Sequence, residues 1–266
     1  MQNTTATVEV LGRRIHELRG GEGERLLYLH SAAGEVQWFP FYAALAQGFE
    51  LHAPAHPGFS RSEGIEAIRD IEDYVHHYLA YLDALGWEKA KIVGLSLGGW
   101  IGAELAARYP ERVERLVLCG SVGIWIREQP LADIFAIDPR HPERMPEMLF
   151  HDTTCPAAQM FRVPSQDFIP PDEILVDFIN AMAATARVGW NPLLHDPRLE
   201  GLLHRVSAPT LCLWGSHDRI SPPAYGEKFA RLVPGARLEI VEECGHMVPL
   251  ERPDDFVRAV TAFMRA

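Results

Sequence analysis

Apolar and polar positions along this chain follow two periods. Short apolar runs bounded by turn residues occur at residues 26–30, 49–53, 90–94, 114–119, 209–214 and 237–241, and they predict buried β-strands. Between these runs, apolar residues recur every three or four positions, which predicts helices over residues 38–47, 71–85, 97–108, 223–232 and 253–265. Strands that alternate with helices predict an α/β protein with a mostly parallel sheet and helices on both faces.

Two stretches depart from this alternation. Residues 6–11 and 14–18 alternate in polarity and predict an antiparallel hairpin across Gly12-Arg13. Residues 122–208 separate the sixth predicted strand from the next one, and this distance is far too long for an ordinary connection. We therefore expect a core formed by residues 1–121 and 209–266, with an insertion at 122–208 that has helices of its own.

Composition and charge exclude several classes of protein. Of the 266 residues, 25 are Lys or Arg and 36 are Asp or Glu, so the net charge is −11. An acidic chain without a basic cluster is a poor candidate for binding nucleic acid. Its first residues lack the features of a signal peptide, and no segment approaches the roughly 18 apolar residues of a spanning helix. We expect a cytoplasmic protein that binds neither nucleic acid nor membrane.

The four cysteines, at positions 119, 155, 212 and 244, lack the paired spacing of a metal site. They predict reduced core residues, which agrees with a cytoplasmic setting. Neither a metal nor a cofactor is expected.

The segment Gly94-Leu95-Ser96-Leu97-Gly98 joins a predicted strand to a predicted helix. Gly-x-Ser-x-Gly in this setting is typical of a nucleophile elbow, a strained turn that exposes the serine hydroxyl above the sheet. The glycines on both sides let strand and helix pass closely. Ser96 is therefore the candidate nucleophile.

A serine nucleophile needs a base, and the base needs an orienting acid. Asp218 follows the predicted strand at 209–214, and His246 follows the one at 237–241. Because the carboxyl ends of parallel strands meet at one sheet edge, Ser96, Asp218 and His246 are expected to converge there. We therefore expect a catalytic triad of these three residues.

The chain resembles the α/β-hydrolase superfamily over nearly its whole length. Besides the elbow, the similar stretches are residues 26–34, 53–62 and 214–218 and the pair Gly245-His246. It looks most like the capped group of esterases, lactonases, haloperoxidases, epoxide hydrolases and carbon-carbon bond hydrolases. The resemblance implies the α/β-hydrolase fold, with the insertion as a helical cap over the active site.

The resemblance also implies an oxyanion hole. Residues 30–32 are similar to the family's His-Gly-x, although Ser31 stands where glycine is usual, and transfer by position gives the amides of Ala32 and Leu97 as donors. One such donor is typically worth about 3 kcal/mol in the transition state. His30 and His56 border this side and can hydrogen-bond the backbone there. Epoxide hydrolases and haloalkane dehalogenases carry aspartate at the elbow, so Ser96 argues against both.

Bulky apolar residues are frequent in the insertion, among them Phe135, Phe161 and Phe168. Trp125 and Trp190 lie near its two hinges, and Val248 lies two residues after His246. We expect these last three to line the substrate pocket. An enclosed apolar pocket favours small or compact substrates of low polarity.

These features predict a serine hydrolase of carboxylic esters that works through an acyl-enzyme. A carbon-carbon bond hydrolase of ring-degradation products and a lactonase remain open, because both use the same triad. The former would need a partner for a substrate carboxylate, for which Arg187 and Asn191 are candidates. A ligand-binding sensor on a hydrolase scaffold is less favoured. The expected partner is a small ester or related carbonyl compound, and the sequence leaves homo-oligomer formation open.

Overall fold

An eight-stranded, mostly parallel sheet forms the centre of the protein. The computed structural model describes residues 4–136, 141, 143–162 and 171–266; Phe168 lies outside them. The strands are β1 (Thr4–Val10), β2 (Arg13–Gly20), β3 (Glu24–Leu29), β4 (Phe49–Pro54), β5 (Ala90–Leu95), β6 (Val113–Cys119), β7 (Thr210–Gly215) and β8 (Arg237–Val241). Their order is β1-β2-β4-β3-β5-β6-β7-β8, and only the β1-β2 and β2-β4 pairs among them are antiparallel. The expected α/β class is confirmed.

The central strands are buried on both faces, which explains their continuous apolar runs. Every residue of β5 and β7 is buried. The hairpin turn lies one residue earlier than the sequence predicts, at Leu11-Gly12. Both residues have positive φ, 50° and 76°, as a tight two-residue hairpin turn requires.

Helices cover the sheet, and all but one lie where the 3.6-residue period predicts them; the exception is the short helix that begins at Val248. They are α1 (Pro40–Leu45), α2 (Ile71–Ala84), α3 (Leu97–Arg108), α8 (Pro223–Leu232), α9 (Val248–Glu251) and α10 (Pro253–Met264). Helix α1 packs against α10, whereas α2 packs against α3. Helix α3 packs on β5 and β6, and it starts at the sheet's carboxyl edge because only Ser96 separates it from the end of β5.

The insertion (residues 122–208) contains the remaining described α-helices: α4 (Arg144–Leu149), α5 (Pro156–Met160), α6 (Asp172–Gly189) and α7 (Leu199–Leu202). Among the described residues, no helix combines the length and the apolar character needed to cross a bilayer. The division into a core and a separate cap stays a prediction.

All four cysteines are free, as predicted, and Cys119, Cys212 and Cys244 are buried. Burial raises the pKa of Cys212 to about 12, so this thiol stays protonated. The prediction of a core position is wrong for Cys155, which is half-buried and whose Sγ accepts a hydrogen bond from the Ala158 amide at the start of α5.

Candidate active site

Ser96 occupies a strained turn between β5 and α3. Its φ is 54° and its ψ is −109°, a conformation that costs a non-glycine residue on the order of 1–3 kcal/mol. A Cβ on Gly94 would lie 2.3 Å from the Gly98 carbonyl oxygen, and one on Gly98 would lie 2.0 Å from that of Leu29. Both motif glycines are therefore required by close backbone approach. The Ser96 amide also donates to the Cys119 carbonyl oxygen at 2.9 Å, which fixes the turn to β6.

Asp218 lies in the loop after β7 and is 4% exposed. Its Oδ1 accepts hydrogen bonds from the amides of Ile220 and Ser221, at 2.9 and 2.8 Å. Its Oδ2 lies 2.8 Å from Nδ1 of His246. The loop thus fixes one carboxylate oxygen and leaves the other for the imidazole.

His246 follows β8 and is 2% exposed. Its contact with Asp218 orients the ring so that Nε2 is the nitrogen left for a reacting proton. Ser96 Oγ makes no hydrogen bond to another described residue, so proton transfer from Ser96 to His246 belongs to the functional proposal. The structure therefore pairs two of the three predicted residues directly.

Gly120 lies beside Asp218 and His246, and it is not among the site residues predicted from the sequence. It has a φ of 48°, and a Cβ there would lie 3.1 Å from both Asp218 Oδ2 and His246 Nδ1. Gly120 directly follows Cys119, whose carbonyl oxygen binds the Ser96 amide, so it lies between the nucleophile turn and the acid-base pair. One feature of the sequence points to Gly120: it directly follows β6, which lies between β5 and β7, the strands that precede Ser96 and Asp218.

The predicted oxyanion donors lie where β3 meets the start of α3. Ala32 and Leu97 are buried. The Ala32 amide makes no hydrogen bond to another described residue. Leu97 is the first residue of α3, so its amide has no partner within the helix. Both amides therefore remain available to a substrate oxygen. The close approach of Gly98 to the Leu29 and His30 carbonyl oxygens brings the two segments together.

His30 and His56 support the same loop, as the sequence predicts. His30 Nδ1 donates to the Ser31 carbonyl oxygen at 2.7 Å, and its Nε2 accepts from the His56 amide at 2.9 Å. His56 Nε2 donates in turn to the His30 carbonyl oxygen at 2.9 Å, and its Nδ1 pairs with the Tyr78 hydroxyl. Burial lowers the pKa of both rings, that of His30 to about 4, so both imidazoles are neutral near pH 7.

The three expected substrate contacts differ in exposure. Val248 is fully buried at the start of α9, whereas Trp190 is 64% exposed, and its ring centroid lies 5.2 Å from that of Phe135. Trp125 is half-buried and stacks on His195, with 5.1 Å between the two ring centroids. Their role in substrate binding stays a prediction. Arg187 and Asn191 are both exposed, and Arg187 donates to the Ile68 carbonyl oxygen.

The insertion contacts the histidine loop directly. The Leu149 carbonyl oxygen, at the end of α4, accepts hydrogen bonds from the amides of His246 and Met247 at 2.8 and 3.1 Å. The Glu251 carboxylate accepts from the Gly245 amide at 2.6 Å and from the amides of His151 and Asp152 in the insertion. The sequence does not identify Glu251, because its partners in the insertion lie about a hundred residues away and no local pattern predicts them.

Comparison with known proteins agrees with this arrangement. The chain matches the alpha/beta hydrolase family model over residues 26–259. It is 27% identical to 2-hydroxy-6-oxo-6-phenylhexa-2,4-dienoate hydrolase of Comamonas testosteroni over 94% of this chain and 91% of that protein. It is 30% identical to 2-hydroxymuconate semialdehyde hydrolase of Pseudomonas putida, over 92% and 88%.

Solved structures give the same result. The 2-hydroxy-6-oxo-6-phenylhexa-2,4-dienoate hydrolase of Rhodococcus sp. strain RHA1 superimposes with a TM-score of 0.82 at 25% identity, over 100% of this chain and 99% of that one. The sheet order, the serine elbow and the family match over most of the sequence lead to one conclusion: this chain belongs to the alpha/beta hydrolase family.

Proposed function

We propose that the protein is a carbon-carbon bond hydrolase for 2-hydroxy-6-oxo-hexa-2,4-dienoates. The observation that carries the proposal is the similarity, over about nine-tenths of the chain, to hydrolases named for such compounds. The sequence alone favours ester hydrolysis over this reaction. The similarity weighs the other way, and both reactions begin with attack on a carbonyl carbon.

Ser96, His246 and Asp218 have the roles of nucleophile, base and orienting acid. Ser96 Oγ attacks the C6 carbonyl of the substrate while His246 takes its proton. The amides of Ala32 and Leu97 bind the resulting oxyanion. Asp218, 2.8 Å from the imidazole, stabilises the positive charge that the ring acquires.

The leaving group is a carbon atom, so it needs a place for its electron pair. Transfer of the 2-hydroxyl proton to C5 of the dienoate gives the 2,6-dioxo form. When the C5-C6 bond breaks, its electron pair moves through the C3-C4 double bond to the 2-oxo oxygen and forms a dienolate. His246 returns a proton to this product, and water then hydrolyses the acyl-Ser96 ester. The net reaction adds one water and gives a carboxylic acid and a 2-hydroxy-dienoate.

Turnover of 2-hydroxy-6-oxo-6-phenylhexa-2,4-dienoate tests the proposal. We expect benzoate and 2-hydroxypenta-2,4-dienoate in equal amounts by chromatography, with a higher kcat/KM than for p-nitrophenyl acetate. Ser96→Ala should abolish benzoate release, and Ser207→Ala, at an exposed serine, is the matched control. An enzyme that turns over esters or lactones but leaves the dienoate intact would contradict the proposal and return the assignment to ester hydrolysis.

A further inference from the structure

The loop after β3 has an unusual distribution of hydrogen bonds. The Ser31 amide donates to Glu35 Oε2 at 2.8 Å, the Ala33 amide to Ser31 Oγ at 3.0 Å, and the Gly34 amide to the Ser31 carbonyl oxygen at 3.1 Å. Within residues 31–34, only the Ala32 amide has no acceptor among the described residues. The contacts thus leave free the amide of this loop that is expected to bind the oxyanion.

Glu35 and Ser31 lie at the centre of this pattern. Because Ser31 Oγ accepts from the Ala33 amide, its proton is free to donate to Glu35 Oε1, at 2.6 Å. The carboxylate therefore receives both the N-H and the O-H of one residue. The Tyr42 hydroxyl donates to the Glu35 carbonyl oxygen at 2.8 Å and fixes the other end of the loop.

This carboxyl group is deeply buried. Glu35 is 3% exposed and Ser31 is 2% exposed. Burial raises the pKa of Glu35, and the group lies within electrostatic range of His246. A carboxyl group in such a place is costly to desolvate, and its described hydrogen-bond donors both belong to Ser31.

We propose that Glu35 and Ser31 are positioning residues that hold the Ala32 amide toward the oxyanion formed at Ser96. This inference rests on the proposed serine-hydrolase chemistry, but not on the choice of substrate. A donor stabilises the transition state only when it is already fixed at the position that the oxyanion will occupy. Ser31, where the family usually has glycine, supplies through its hydroxyl a contact that glycine lacks.

The test compares variants of the full chain in ester hydrolysis and in binding of a trifluoromethyl ketone. Ser96 adds to this ketone and forms a tetrahedral oxyanion. For Glu35→Gln and Ser31→Ala we expect kcat for p-nitrophenyl acetate to fall about 10- to 100-fold, less than the loss of a whole donor. Affinity for the ketone should fall by a similar factor, while KM and binding of the product acetate stay within about twofold of the parent.

Two further variants separate positioning from general stability. Ser31→Thr keeps the hydroxyl and should retain most of the activity. Glu104→Gln neutralises another fully buried carboxylate, bonded to Arg108 and Trp100 on α3, and should leave ketone affinity unchanged. If Glu35→Gln does not fold, Ser31→Ala carries the test alone.

Parental kcat and ketone affinity in Ser31→Ala would overturn the inference, as would equal losses in Glu104→Gln. Loss of ester turnover in these variants, with no dienoate cleavage by the parent, would leave the inference standing and defeat only the carbon-carbon assignment. Dienoate cleavage at the parental rate in all variants would support the carbon-carbon assignment and overturn the inference about Glu35 and Ser31.

Discussion

The loops at the ends of the strands and the insertion are built differently. Ser96, Asp218 and His246 are 6%, 4% and 2% exposed, and backbone hydrogen bonds to neighbouring segments fix their loops. Helix α6 of the insertion instead exposes large apolar side chains: Ile174, Val176, Phe178 and Ile179. The candidate catalytic residues thus lie in buried, hydrogen-bonded loops, while the insertion, which is expected to contact the substrate, presents one face of its longest described helix to solvent.

The largest loss of activity is expected from substitutions at the carboxyl edge of the sheet, compared with substitutions in the insertion. Ser96→Ala and His246→Ala should each lower kcat by about four to six orders of magnitude, and the double variant by little more, because the residues act as one unit. Thermal unfolding should change little in either single variant. Kinetics on the parent's preferred substrate measure the losses, and additive losses in the double variant would show that the two residues act independently.

Sequence periodicity predicts the sheet edge well because its elements are local. Each strand is a short apolar run, and each candidate residue directly follows one, so the fold rule brings them together. Gly120, Glu35 and Glu251 escape such prediction. The importance of Gly120 and Glu251 depends on contacts between residues 98 to 126 positions apart in the chain, and that of Glu35 depends on an aperiodic loop. The insertion offers helical periods but no rule for which face meets the active site.

Glu251 joins the two regions and gives the next largest effect. Glu251→Ala removes the acceptor of three amides, so the free energy of unfolding should fall by about 3 kcal/mol, with kcat lowered through the histidine loop. Glu251→Gln keeps one acceptor oxygen and should lose less. Urea denaturation measures the change, with the exposed Glu242→Ala as control. An unchanged stability in Glu251→Ala would mean that the insertion and the histidine loop are held independently.

Acid should weaken the core loop at His30. Its folded pKa of about 4 lies below the unfolded value of about 6.5, so the neutral ring contributes stability that is complete above pH 6.5. This contribution is lost as pH falls from about 6.5 to about 4, at up to about 1.4 kcal/mol per pH unit.

Urea midpoints between pH 7.5 and 4 check this dependence. His30→Gln should lose stability less steeply than the parent over that range, whereas His204→Gln, at an exposed position, should keep the parental slope. Parallel slopes for the parent and His30→Gln would exclude His30 as the titrating group. His77, whose pKa burial lowers to about 3, would then be the next residue to replace.

The smallest effects are expected from the two tryptophans of the insertion, and they decide which one limits the pocket. Trp190 is 64% exposed, which argues against the predicted position in the pocket wall, so Trp190→Ala should change stability by no more than about 0.5 kcal/mol and leave the ranking of acyl chains unchanged. Trp125 is half-buried, and its removal should shift the preference toward longer chains by opening space above the site. Each methylene that the enlarged pocket encloses is worth about 0.8 kcal/mol, or about fourfold in kcat/KM. Values of kcat/KM from p-nitrophenyl acetate to octanoate in the parent and both variants measure the shift. A change of preference in Trp190→Ala without one in Trp125→Ala would place the pocket wall at the other hinge of the insertion.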